Sequence, residues 1–158
     1  MNGSVTVTVA APAAALWDLV ADVTRIGEFS PETFEAQWIT EPPGPAVGAM
    51  FRGHVRRNGR GPVYWTDCRV LRCEAPTLFE FGVHVGGRPV NTWTYQLHPV
   101  AGGTAVTESY TLAPTALTRL YWTIAGRWRS ATNQRGMLQT LQRIKAVAES
   151  ATPPSRRS

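Results

Sequence analysis

Asp67 and Arg69 lie two residues apart in Val63–Cys73, a stretch that reads as a strand, so they share one face. An aspartate and an arginine so placed can neutralise each other, which lowers the cost of burying both. In a site shielded from water, Arg69 could stabilise a developing enolate or alkoxide, and Asp67 could move a proton. Glu108 is the third candidate. It alternates with Val106, Tyr110 and Leu112 in the apolar set of a later strand, and aromatic surroundings there would raise its pKa towards that of a general acid near neutrality. A salt bridge from Glu108 to Arg127 or Arg135 is the competing structural role. The inner face of Val63–Cys73 stays open at this point. Tyr64, Thr66, Cys68 and Val70 make one face, and Trp65, Asp67, Arg69 and Leu71 the other. Pattern alone slightly favours the first as inner, because burying Asp67 and Arg69 is costly.

Other chemistries find little support. His54, His84 and His98 fall opposite the apolar sets of their strands, which makes a Ser-His-Asp device improbable. Cys68 and Cys73 are five residues apart, point to opposite strand faces and cannot bridge without a break. No His or Cys spacing suits zinc or iron, so neither metal nor cofactor is expected.

The elements that must position these residues follow from periodicity and turns. Ser4–Val9 alternates strictly as a first strand. Pro12 opens a short helix to Ala21, with a second short helix over Val23–Phe29. Six strands follow: Phe34–Ile39, Ala49–Arg57, Val63–Cys73, Leu78–Val85, Val90–Pro99 and Thr104–Leu112. Turns such as 58–62, Gly86-Gly87 and Ala101-Gly102-Gly103 divide them, which predicts an antiparallel meander. A long helix then runs from Pro114 to about Ala148, with an apolar stripe that includes Leu117, Leu120, Trp128, Leu138, Leu141 and Ile144 and is interrupted near Gln134. Residues 1–150 are expected to form one domain and 151–158 a disordered tail.

Composition bounds the rest. The chain has 158 residues, 43% apolar and 17% charged, which is globular. No apolar run reaches membrane length, and residues 1–5 lack a secretory layout, so the cytoplasm is the expected compartment. The net charge of +5 divides into −5 over residues 1–51 and +10 over the remainder. The arginines are dispersed and do not interleave with stacking aromatics, so nucleic acid is not an expected partner. A homodimer stays open.

The order of elements resembles the helix-grip fold of the START/SRPBCC superfamily, the polyketide cyclase/dehydrase and lipid-transport proteins. The resemblance is carried by 21–32 (ADVTRIGEFSPE), 47–53 (VGAMFRG), 65–70 (WTDCRV), 79–81 (FEF), 93–95 (WTY) and 103–109 (GTAVTES). It implies an α+β fold, a seven-stranded curved antiparallel sheet around a long C-terminal helix, with two short helices after the first strand. The sequence is more loosely similar to aromatic polyketide aromatase/cyclases. In those, a cavity arginine matches Arg69 and cavity tryptophans match Trp65 and Trp93, which selects the Trp65–Arg69 face as inner. Thr33 stands where that group has a cavity tyrosine, and Val83 where it has a second arginine.

One helix across a curved sheet leaves a space that it cannot fill. The expected ligand lining is Phe29, Phe34, Phe51, Trp65, Phe79 and Phe81, then Trp93, Tyr95 and Tyr110, with Trp128, Gln134 and Leu138 from the helix. Mostly aromatic walls with few polar groups suit a hydrophobic small molecule. The expected activity is cofactor-independent cyclisation or dehydration of a polyketide-like or polycyclic substrate, with Asp67, Arg69 and Glu108 catalytic. A non-catalytic carrier or sensor of a lipid or quinone, and an interaction module with a filled core, are the competing readings.

Overall fold

Hairpin after hairpin, the alternating stretches close into one antiparallel sheet. The computed structural model describes residues 2–56, 61–113 and 116–151, with the helix segment 116–131 described by its backbone alone. Its strands are β1 (Asn2–Val9), β2 (Thr33–Trp38), β3 (Met50–Arg56), β4 (Val63–Glu74), β5 (Leu78–Val85), β6 (Arg88–Val100) and β7 (Gly103–Leu112). They are ordered β1-β7-β6-β5-β4-β3-β2, so the first strand closes the sheet beside the last. Ala116–Ala151 forms one long helix, α3, which includes Ala151; the rest of the expected tail lies outside the described residues. This is the helix-grip arrangement the element order implied.

Between β1 and β2 the chain makes α1 (Ala13–Val20), a 3-10 turn (Val23–Arg25) and α2 (Ile26–Phe29). α1 buries Leu16, Trp17, Leu19 and Val20. Asp22 caps the 3-10 turn, its carboxylate accepting from the Thr24 backbone N–H at 3.1 Å. Gly27 lets α2 press on β2: a Cβ there would collide with the Phe34 carbonyl. The C-terminal part of α3 is tied to β1 and the residue after it. Lys145 Nζ donates to the Thr8 carbonyl at 2.7 Å, and Glu149 Oε1 accepts from the Ala10 N–H at 2.8 Å.

The core gathers at one end of the concave face. Val9, Leu97, Phe79 and Val106 from the sheet meet Leu16 and Trp17 of α1 and Ile144 and Ala148 of α3, all buried. Trp17 and Phe79 meet edge to face, with ring centroids 6.1 Å apart.

Candidate functional site

Moving along the same strands away from that core, the concave face opens into a cavity of about 640 Å³. That volume lies within the ordinary range for a small-molecule site. Strand alternation supplies most of the wall. Phe51 and Gly53 face in from β3, Thr66 and Cys68 from β4, Phe81 and Val83 from β5, and Trp93 and Tyr95 from β6. α3 supplies the opposite wall through Met137, Thr140 and Arg143, and the segment after α2 supplies Ser30–Thr33. Arg143 ties these two elements together: its Nη1 donates to the Phe29 carbonyl at 3.3 Å. Ser30 Oγ accepts from the Thr33 N–H at 3.0 Å, which shapes the turn.

Glu108 is the chemical centre of the lining. It is 4% exposed. Its Oε1 accepts a hydrogen bond from the Tyr95 hydroxyl at 3.0 Å, while Oε2 is buried and has no hydrogen-bond partner among the described residues. Burial pushes its pKa up to about 8, against the smaller downward pull of the Tyr95 hydroxyl. Tyr95 is itself pushed well above its ordinary value, by burial and then by the neighbouring carboxyl, so it stays a neutral donor. Neither Arg127 nor Arg135 is seen to pair with Glu108: Arg135 is exposed, and the Arg127 side chain lies outside the described residues. Cys68, also in the wall, is held as a thiol, its pKa pushed up to about 12 by burial.

Several expected site residues lie elsewhere. On β4 the inner face is Thr66, Cys68 and Val70, and Trp65, Asp67 and Arg69 look outward, so the alternation was right and the transferred facing wrong. Register explains it: Thr66 and Cys68 sit opposite the inward Gly53 and Phe51 of β3. Inward facing would strip water from both charges of the Asp67–Arg69 pair. Asp67 instead accepts from Arg52 Nε of β3 at 3.0 Å on the outer face. There Trp65 stacks on His54, with centroids 4.1 Å apart.

Phe34 is a second correction. Simple alternation groups it with Ala36 and Trp38, but the β2–β3 register shifts between Thr33 and Glu35. The bulge turns Thr33 into the cavity and leaves Phe34 46% exposed, against His54. On α3, Gln134 and Leu138 face out. Met137 takes the inward position, and Leu138 stands one residue, about 100°, further round the helix. Phe29, Phe79 and Tyr110 are buried but pack as core; Tyr110 backs Trp93 at 5.6 Å. Phe51, Phe81, Trp93, Tyr95 and Glu108 do converge on the cavity. The Trp128 side chain lies outside the described residues. None of the three histidines lines the cavity.

Sequence reading missed Asn91, Thr66, Thr140 and Arg143, all in the wall. Asn91 was within reach: two residues before Trp93, it continues the inward parity of β6.

A family model described as polyketide cyclase / dehydrase and lipid transport matches residues 2–149. The chain belongs to this family. A search of curated proteins finds no match. Among solved structures, a Polyketide_cyc-like protein of Corynebacterium glutamicum is 26% identical, with a TM-score of 0.65 over 99% of this chain and 96% of that one. Protein MLL2253 of Mesorhizobium loti shares the fold at 16% identity, with a TM-score of 0.70 over 97% of this chain and 100% of that one. The di-domain ARO/CYC StfQ of the steffimycin biosynthetic pathway does so at 14% identity, with a TM-score of 0.73. That match covers 94% of this chain and 50% of the di-domain protein. Among the described residues of this family member, no helix is long and apolar enough to cross a membrane.

Proposed function

We propose that this family member binds a hydrophobic, polyketide-like or polycyclic small molecule in its cavity and promotes its cyclisation or dehydration by acid–base chemistry at Glu108. The observation that carries the reading is the buried Glu108 carboxyl, with one oxygen held by Tyr95 and the other unpartnered among the described residues. With a pKa near 8, about nine carboxyls in ten are protonated at pH 7 and a tenth are ionised. The protonated form donates Oε2–H to a substrate carbonyl and favours enolisation. Once Oε2–H has been given up to the carbonyl oxygen, the resulting carboxylate takes a proton from the acidic methylene between two carbonyls, which returns Glu108 to its acid form. The Tyr95 hydroxyl on Oε1 stabilises the carboxylate while it carries charge. Aromatic walls that hold a flexible chain folded add proximity. The kinship in fold with an aromatase/cyclase supports a substrate of this class. Arg69 and Asp67 take no part in this scheme, because they face away from the cavity.

The outward facing of that pair also favours a second reading, a carrier or sensor, which needs the cavity but no converging charges. Glu108→Gln separates the two. Screening by native mass spectrometry identifies a ligand first. An enzyme keeps its affinity within a few-fold but loses about 10²-fold or more in kcat, since general acid–base catalysis is worth that much. Wild-type turnover should also fall as pH rises through about 8, where the acid form disappears. Unchanged kcat in the variant, or binding without any wild-type turnover, would overturn the enzymatic reading.

A further inference from the structure

Glu108 Oε2 shares its condition with one other atom. Asn91 Oδ1 is also buried without a hydrogen-bond partner among the described residues, and Asn91 lines the same cavity. Native proteins rarely leave such atoms unmatched, so each points to a missing partner.

The register places the two relative to each other. Glu108 of β7 lies directly across from Tyr95 of β6, and Asn91 lies on β6 two inward positions further, beyond Trp93. At about 3.4 Å per residue, some 14 Å of strand separates the two levels. Between them stand the Trp93 indole and, from β5, the Phe81 ring across from it. The wall is therefore a polar group, an apolar stretch with an aromatic face, and a second polar group.

The two ends differ in hydrogen-bonding character. Glu108 Oε1 already accepts from Tyr95, so the acid proton sits on Oε2, which then donates. Asn91 offers a carbonyl oxygen that accepts. A hydroxyl group also suits Asn91 if the amide is turned over, because a hydroxyl both donates and accepts. A carboxylate ligand fits the Glu108 level poorly, where no cation is paired with that carboxyl among the described residues. Two of the described arginines of α3 line the cavity: Arg143 is engaged with the Phe29 and Ser30 carbonyls, and Arg135 is largely exposed to solvent, with neither paired to Glu108.

We propose that the cavity takes a neutral, elongated, flat ligand that presents a carbonyl oxygen to Glu108 and a hydroxyl group to Asn91 at its other end. The proposal rests on the protonated Glu108 of the reading above and adds Asn91 as the residue that fixes which end of the ligand lies where. Allowing one hydrogen bond at each end, the two ligand groups stand on the order of 10 Å apart.

The test uses 4′-hydroxyflavone, a flat ketone with a phenol at its far end, beside 4′-methoxyflavone, flavone and palmitate. Affinities for the full chain are measured by isothermal titration calorimetry. The hydroxyl compound should bind about three- to tenfold tighter than the other two flavones, the range of one net hydrogen bond. Asn91→Ala should abolish that preference, so that the three flavones bind the variant within about a factor of two of one another, and palmitate should bind weakest. Equal affinity of the three flavones for wild type, a preference that survives in Asn91→Ala, tightest binding by palmitate, or no flavone binding at the solubility limit would each overturn the proposal. The wild-type series needs no variant, so a poorly folding Asn91→Ala leaves the test intact. The experiment requires no turnover. The expected pattern in an inert protein sinks the enzymatic reading alone, and turnover without a hydroxyl preference sinks this inference alone.

Discussion

The packed and hollow ends of the concave face are built from the same strands. On β7, Val106 is core, and two residues on Glu108 faces the cavity. On β5, Phe79 is core and Val83 is cavity wall; on β6, Leu97 is core and Trp93 is wall. What differs is the cover. At the packed end, α1 and the C-terminal part of α3 press down together, through Leu16, Trp17 and Ile144. At the hollow end α3 stands opposite the sheet, and the segment after α2 closes the side. A strand's alternation is indifferent to which of these lies above it.

Phe79→Ala should break the packed end most severely. Removing a fully buried ring that touches Trp17 and Phe81 should cost about 3–5 kcal/mol, read as a lowered urea midpoint. At the hollow end, Glu108→Gln should alter how stability depends on pH. The folded pKa of Glu108, about 8, lies above its ordinary 4.5. The folded state therefore binds the proton more tightly, and the stability that this carboxyl contributes is fully present below about 4.5 and is lost as pH rises to about 8. Equilibrium unfolding at pH 5 and pH 9 should show this contribution as a loss of a few kcal/mol in wild type, removed in the variant. If wild type and Glu108→Gln share one pH profile, the carboxyl is not buried as described.

Val83→Ala sharpens the contrast with Phe79. Its methyls face open cavity, so the loss should be about 1 kcal/mol or less. The smallest effect belongs to the outer face. Asp67→Ala removes an ion pair whose partners are half exposed, and it should shift stability by under about 1 kcal/mol and leave ligand binding untouched. A large loss of binding in that variant would return β4 to the opposite facing.

Strand identity, hairpin order and the long helix were legible because they rest on local periodicity and turn chemistry. Leu78–Val85 runs over the same residues when read from pattern and when observed, and the inward phases of Phe51, Phe81, Trp93, Tyr95 and Glu108 hold. On β4 the cost of burying Asp67 and Arg69 pointed to the correct face, and the likeness to aromatase/cyclases pointed away from it. Phe34 shows where alternation itself fails: one extra residue in β2 reverses a face, and Thr33-Phe34-Glu35 carries no glycine or proline to announce it.

The sequence by itself determined which residues alternate, where the chain turns, and that Glu108 shares a face with Val106 and Tyr110, since these depend on neighbours along the chain. Only the tertiary structure decided that Glu108 has Tyr95 for a partner, that Asp67 pairs with Arg52, and that the space before Glu108 is empty while that before Val106 is full. Those outcomes depend on strand register and on where two distant helices come to rest, and no local pattern in 158 residues encodes either.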